Sequence, residues 1–198
     1  VKGIYHGVER PDMSGLTTQR VVEEDYILYV GRRSMYKNFR NFIEVFSELH
    51  LKYPKIKVVC TSNVFSKEEN LQFKELGIED YMIHIAADEA TMLRLYRDAL
   101  FFAFPSFYEG FGMPILEAWS CGCPVVLSEA SCFPEIAGDG GLFFNPKSKE
   151  EMLNQFDAIL SDSCLREKLV SNGYERLKQF SWEKCAEEHM QLYRKLMD

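Results

Sequence analysis

A chain of 198 residues and 23.0 kDa, 46% hydrophobic and 27% charged, is long enough to bury a core without disulfides or metals. Its net charge of −7 and pI near 5.2 disfavour nonspecific nucleic-acid binding, which needs basic surface to neutralise phosphates, so no nucleic-acid partner is expected. The longest apolar run, Ala99 to Phe104 before Pro105, is too short to cross a bilayer, and the opening VKGIYHGVERP lacks both the order of a secretory signal and an initiator methionine, which reads as a fragment.

In chain order, a short opening strand is followed by a polar stretch, residues 7–25, expected to be an exposed loop. Short β-rich runs then alternate with helical patterns, the signature of a parallel sheet with crossover helices. YILYVG (26–31), IKVVCT (56–61), YMIHI (81–85), LFFAF (100–104), PVVLS (124–128) and GLFF (141–144) read as strands, several of them apolar on both faces and hence buried on both. Phe39, Phe42, Ile43, Phe46 and Leu49 mark one amphipathic helix, Leu71, Phe73 and Leu76 a weaker one, and Met92, Leu93, Leu95, Tyr96 and Ala99 a third. Helices at about 148–160, 162–179 and 182–197 close the chain. The expected fold is α/β, a doubly wound parallel sheet of Rossmann-like type. The six cysteines show no CxxC pair and no zinc spacing, and read as reduced thiols of a cytoplasmic protein. Each of the four histidines reads as structural when taken alone.

Ligands of such open sheets lie outside the carboxyl ends of the strands, which points to two loops. After Gly31, RRSMYKN puts Arg32, Arg33 and Lys37 at or before a helix start at 37, where cations are disfavoured by about 0.3–1 kcal/mol each. A bound anion reverses that sign, through charge-assisted bonds of about 1.5–3 kcal/mol apiece; a solvated basic turn is the alternative. The second loop, FPSFYEGFGMPILEAW, has Gly110 and Gly112 to expose backbone and Pro114 to open a helix. It is neither a G-x-G-x-x-G fingerprint nor a P-loop, which disfavours dehydrogenases and P-loop enzymes. Glu109 precedes the turn, and Glu117 is placed in the first helical turn among apolar neighbours. A carboxylate there wants hydroxyl or amide donors, and a sugar or ribose supplies paired hydroxyls. The alternatives are a dipole-complementing acid, a solvated loop residue, or a glycosidase-type pair of carboxyls.

Glu109 and Glu117, separated by seven residues inside FPSFYEGFGMPILEAWSCGCPVV, resemble the E-x7-E signature of retaining GT-B glycosyltransferases of group 1, also called family 4. ILYVGRRSMYKNF, DEATMLRLYRDALFFAFPS, SCFPEIAGDGGLFFNP and FSWEKCAEEHMQLYRKLM resemble further segments of the same family, all within its C-terminal, donor-binding half. The resemblance implies that residues 1–198 form one nucleotide-sugar-binding domain, with 182–198 as a closing helix and the N-terminal acceptor domain absent. It implies a hexose moved from a nucleoside-diphosphate sugar with retention, by an enzyme of which this part alone catalyses little. Arg32 and Lys37 would clamp the diphosphate, Glu109 would contact the donor sugar, and Glu117 would bind ribose. Gly31, Gly110, Phe111, Gly112 and Met113 would shape the donor site, and Ile83 and His84 would lie beside the base. Thr61-Ser62-Asn63 and Tyr36 stand where the family often carries Gly-x-Gly and arginine. No metal cofactor is expected. Its expected partners are the nucleoside-diphosphate sugar and the missing N-terminal domain, through which alone any peripheral contact with the inner face of a membrane is expected. A noncatalytic nucleotide-sugar-binding domain and a nucleotide-sugar epimerase are the alternatives; a phosphorylase would need a pyridoxal-binding lysine, and none is assigned.

Overall fold

The computed structural model describes residues 3–9, 11–13, 15 and 17–197. In chain order the elements are β1 (Tyr26–Tyr29), α1 (Phe39–Lys52), β2 (Lys57–Cys60), α2 (Lys67–Glu75), β3 (Met82–His84), α3 (Glu89–Asp98) and β4 (Phe101–Phe104). They continue with α4 (Met113–Ser120), β5 (Val125–Ser128), α5 (Phe133–Ala137), β6 (Gly141–Phe144), α6 (Lys149–Ser161), α7 (Ser163–Leu177) and α8 (Trp182–Met197).

All six strands pair in parallel in the order β3-β2-β1-β4-β5-β6. The central strands β1, β4 and β5 are legible as apolar runs, because a central parallel strand is covered on both faces and tolerates no polar alternation. Successive side chains take opposite faces. Ile27, Tyr29, Val58 and Phe101 meet Phe42, Phe46 and Phe73 of α1 and α2, whereas Tyr26, Leu28, Val59 and Phe102 meet Tyr96, Leu116 and Trp119 of α3 and α4. Phe101 and Phe102 are both fully buried, each contributing about 1.5–3 kcal/mol relative to exposure.

The order reverses between β1 and β4. Chain leaving β1 turns toward β2 on one side and chain leaving β4 turns toward β5 on the other, which opens a crevice at the carboxyl ends of these two neighbours. Both loops singled out in the sequence leave these two strands.

Two expectations are corrected. Residues 3–9 form no strand; they lie along the start of α8, with Val8 N–H donating to Phe180 O at 3.4 Å and Tyr5 against Phe111 and Phe180, so they have no sheet neighbour to pair with. Val1 and Lys2 lie outside the described residues, as do Arg10, Ser14, Leu16 and, in the closing helix, Asp198. The 7–25 stretch is not wholly exposed: Val22 is buried, Val8, Met13 and Val21 pack against the core, and Arg97 donates to Thr17 O at 2.9 Å. The short helix α5 has no counterpart in the sequence pattern, because five residues are too few to show a helical period.

Among the described residues no helix is long and apolar enough to cross a membrane. All six cysteines are free thiols, and burial pushes those of Cys60, Cys121, Cys123 and Cys132 up.

The second site loop runs into α4, which is seated on α7 through Trp119. The indole lies directly over Gly173, where a Cβ would stand 2.4 Å from Trp119 Cδ1, and its N–H donates to Gly140 O at 3.3 Å. Gly173→Ala removes a helix glycine, a gain of at most about 1 kcal/mol, but overpacks a contact with no room to give. It is expected to lower stability by a net 1–3 kcal/mol or so, read from the urea midpoint; a raised midpoint would show that the indole can swing aside.

Candidate active site at the switch point of the sheet

β1 ends into Gly31, whose φ of +104° suits glycine, and the chain then passes through a 3-10 turn, Met35–Lys37. Asn38 follows in the left-handed region, φ 58°, which Asn tolerates better than most residues. Its buried amide donates to Pro146 O at 3.0 Å and accepts from Asn41 Nδ2 at 2.8 Å. This locked corner points Lys37 back across the strand ends. The Lys37 carbonyl accepts from the Tyr29 hydroxyl at 3.2 Å, and its ammonium lies 4.9 Å from the Phe104 ring centroid and 5.5 Å from that of Tyr36.

The second loop is tied to the first: Phe107 N–H donates to Tyr36 O at 2.8 Å. From the other side, Ser131 Oγ at 2.6 Å and Cys132 Sγ at 3.4 Å both donate to Glu109 O, and Ser128 Oγ donates to Ser106 O. Held in this way, Glu109 meets Lys37, with Nζ 2.6 Å from Oε1 and the two side chains 13% and 15% exposed. The contact is a close, largely buried ion pair, and among the described residues the Lys37 ammonium is the polar partner of Oε1. A carboxylate oxygen has capacity for a second donor beside the ammonium, which a ligand hydroxyl could supply.

Gly112 caps α4 with φ +92°, and Gly110 is exposed with nothing within 4 Å of a Cβ built on it, so backbone is presented there. Met113 opens α4 half-buried against the core. Phe111 turns its ring away, onto His6 at 5.0 Å and Phe180 at 6.0 Å. Glu117 is the fifth residue of α4, beyond the first turn in which it was placed, so it does not serve as a dipole-complementing acid. Its Oε2 accepts from the Tyr96 hydroxyl at 3.1 Å. Burial first, and the charge of Glu117 second, hold the Tyr96 hydroxyl well above its usual pKa, so that it stays a donor. Both residues line a cavity of about 610 Å³ with Met92, Leu93, Ser120, Val8, Glu9, Pro11 and Asp12.

Of the predicted site residues, the structure brings Lys37 and Glu109 together with Gly31 beside them, a Cβ on Gly31 being 3.9 Å from Lys37 Nζ. Arg32 and Glu117 do not pair with Lys37. Arg32 is exposed and lines a 380 Å³ hollow with Ser34, Asn63 and Ser66, and has no hydrogen bond or ion pair among the described residues. Arg33 belongs to the scaffold: it pairs with Glu69 at 2.5 Å and lies between Phe39 and Phe65. His84 does not join the group either. Strand alternation sends Ile83 to the α3 face, where Glu117 lies, and His84 to the opposite one, where Nε2 meets Ser62 O at 2.9 Å and the ring packs on Phe65. Sequence reasoning missed Tyr96, read only as core, and Ser131 with Cys132, whose place just ahead of Phe133-Pro134 was the available turn signal. Among the described residues no group of three or more His, Cys, Asp and Glu is placed to hold a metal ion.

The family model for glycosyl transferases group 1 matches residues 18–176. O-antigen chain mannosyltransferase B of Escherichia coli is 34% identical over 181 residues, which cover 87% of this chain and 46% of the relative, so the chain spans about half the length of that protein. Among solved structures, the C-terminal domain of the group 1 glycosyl transferase LpcC from Francisella tularensis is 30% identical with a TM-score of 0.70, over 78% of this chain and 85% of that one. Sucrose-phosphate synthase from Thermosynechococcus elongatus is 27% identical with a TM-score of 0.73, over 88% and 46% respectively. Together with the six-stranded parallel sheet and its helical layers, these likenesses make the architecture that of a GT-B glycosyltransferase domain. The chain belongs to the group 1 glycosyltransferase family.

Proposed function

We propose that these residues form the donor-binding half of a retaining hexosyltransferase, taking a nucleoside-diphosphate sugar. The observation that carries this reading is the largely buried ion pair of Lys37 with Glu109 at the switch point, a cation and a carboxylate held together at the carboxyl ends of β1 and β4. In this reading Lys37 exchanges Glu109 for the diphosphate, and Arg32 adds a second cation; together they offset the charge that grows on the leaving group. Glu109, freed, accepts from donor-sugar hydroxyls. The N–H groups of Gly110, Phe111 and Gly112, before α4, support sugar and phosphate, with Met113 beside them. Glu117, oriented by Tyr96, takes the paired ribose hydroxyls inside its cavity. A glycosidase-type mechanism fits less well, since Glu109 is engaged by Lys37 and Glu117 by Tyr96 rather than both facing one bond.

The hexose class is supported by the mannosyltransferase likeness. Transfer further needs an acceptor held across the cleft and water excluded, and we assign both to an N-terminal domain of the same enzyme, without which this part binds donor weakly and turns over little. The free thiols support a cytoplasmic setting.

Calorimetric titration of the chain with UDP-, GDP- and ADP-hexoses is expected to show saturable binding of one of them, undiminished by a chelator. Absence of binding by all three would sink the reading, and strict dependence on magnesium would overturn its metal-free part.

A further inference from the structure

Between Glu109, whose carbonyl is held by Ser131 and Cys132, and the start of α4 at Met113 stand Gly110, Phe111 and Gly112. The two glycines give this stretch little stiffness of its own: Gly112 sits at φ +92°, and nothing stands within 4 Å of a Cβ built on Gly110. Phe111 supplies the one side chain by which the rest of the fold can fix it.

That side chain is gripped by residues about a hundred positions earlier in the chain. The Phe111 ring packs edge-on against His6 at 5.0 Å and 89°, and lies 6.1 Å from Tyr5 and 6.0 Å from Phe180. His6 in turn meets the Trp182 ring, at the start of α8, at 5.9 Å. The gripping segment is itself firmly seated. Gly7 is buried, and a Cβ there would stand 2.1 Å from Trp182 N, so the backbone lies flush on α8 with no room for a side chain. The Tyr5 hydroxyl donates to the Glu135 carboxylate on α5, and Arg176 of α7 donates to the Glu135 carbonyl at 2.7 Å.

We propose that Phe111 and His6 are positioning residues of the donor loop: their ring contact fixes the direction in which the N–H groups from Gly110 to Gly112 point, and thereby the affinity for a nucleoside-diphosphate sugar. The inference rests on the reading of that loop as part of the donor site. A loop that visits other directions is binding-competent only part of the time, and apparent affinity falls in proportion to that fraction. His6 is exposed and is not among the residues assigned to contact the donor, so its effect on the donor passes through Phe111.

The test combines ¹⁵N relaxation of the Gly110 and Gly112 amides in the ligand-free chain with calorimetric titration of UDP-, GDP- and ADP-hexoses, for the parent, His6→Ala, His6→Phe and Phe111→Ala. Order parameters are expected to fall from about 0.85, the value of rigid backbone, toward about 0.6 in both alanine variants. Affinity for the hexose nucleotide is expected to drop about two- to tenfold in His6→Ala, the worth of one aromatic pair, and further in Phe111→Ala. His6→Phe should restore both readouts, and His6→Ala added to Phe111→Ala should cost nothing more, since the contact is already gone. His6→Ala alters an exposed side chain and is expected to keep the parental urea midpoint, so the test survives a Phe111→Ala chain that fails to fold. Unchanged glycine order parameters in His6→Ala overturn the proposal, and so does parental affinity in a variant whose amides loosen. Loosened amides in a chain whose parent binds none of the three nucleotides would leave the grip on the loop standing and overturn the donor reading.

Discussion

Arg33→Ala is expected to lower the unfolding free energy by about 3–5 kcal/mol, the cost of leaving one partner of a buried ion pair unsatisfied. The Arg33 side chain is 5% exposed and that of Glu69 17%. Its guanidinium reaches Glu69 through both Nε and Nη2, and donates to the carbonyls of Asn63 at 2.8 Å, Val64 at 3.0 Å and Thr61 at 3.4 Å. Those carbonyls belong to the loop after β2, and Glu69 also closes the capping box of α2 by accepting from Ser66 N–H at 2.7 Å. One arginine therefore joins three segments, and a loss of this size is a large part of the roughly 5–15 kcal/mol that a domain has. Arg32→Ala, one position earlier, is expected to stay within about 0.5 kcal/mol of the parent, as for an exposed side chain with no partner among the described residues. Paired urea titrations give both values. Equal destabilisation by the two variants would refute the assignment of Arg33 to the scaffold.

Lys37→Ala is expected to weaken nucleoside diphosphate binding by about 1.5–3 kcal/mol, the range for a lost hydrogen bond to a charged group. Tenfold in affinity for each 1.4 kcal/mol or so makes this readily resolved by calorimetry. The same change strands the Glu109 carboxylate, so the variant is also expected to be less stable than the parent. Lys37→Ala combined with Glu109→Gln separates the two effects: stability should return, because the stranded charge is gone, whereas nucleotide affinity should stay low. Parental affinity in the single variant would remove Lys37 from the site, and recovery of affinity in the double variant would show that Lys37 acts only by neutralising Glu109.

What sequence by itself determined was the sheet and the loops that matter. Runs such as LFFAF and PVVLS are legible because a strand covered on both faces must be apolar throughout, and amphipathic stripes such as Phe39, Phe42, Phe46 and Leu49 follow from the helical period. The loops after β1 and β4 stand out because their glycines, cations and carboxylates have no place in a core. Tertiary structure alone decided which of these groups meet. Arg32 and Arg33 are adjacent in sequence, yet one faces solvent and the other is enclosed by Phe39, Phe65 and Glu69, since that enclosure depends on α2 folding back over the β1 loop. His84 and Ile83 likewise differ by one position and lie on opposite faces of the sheet. The contact of Lys37 with Glu109 spans two loops separated by most of the sheet-forming chain, and is set by the reversal of strand order between β1 and β4, a property of the assembled sheet that no local run of residues encodes.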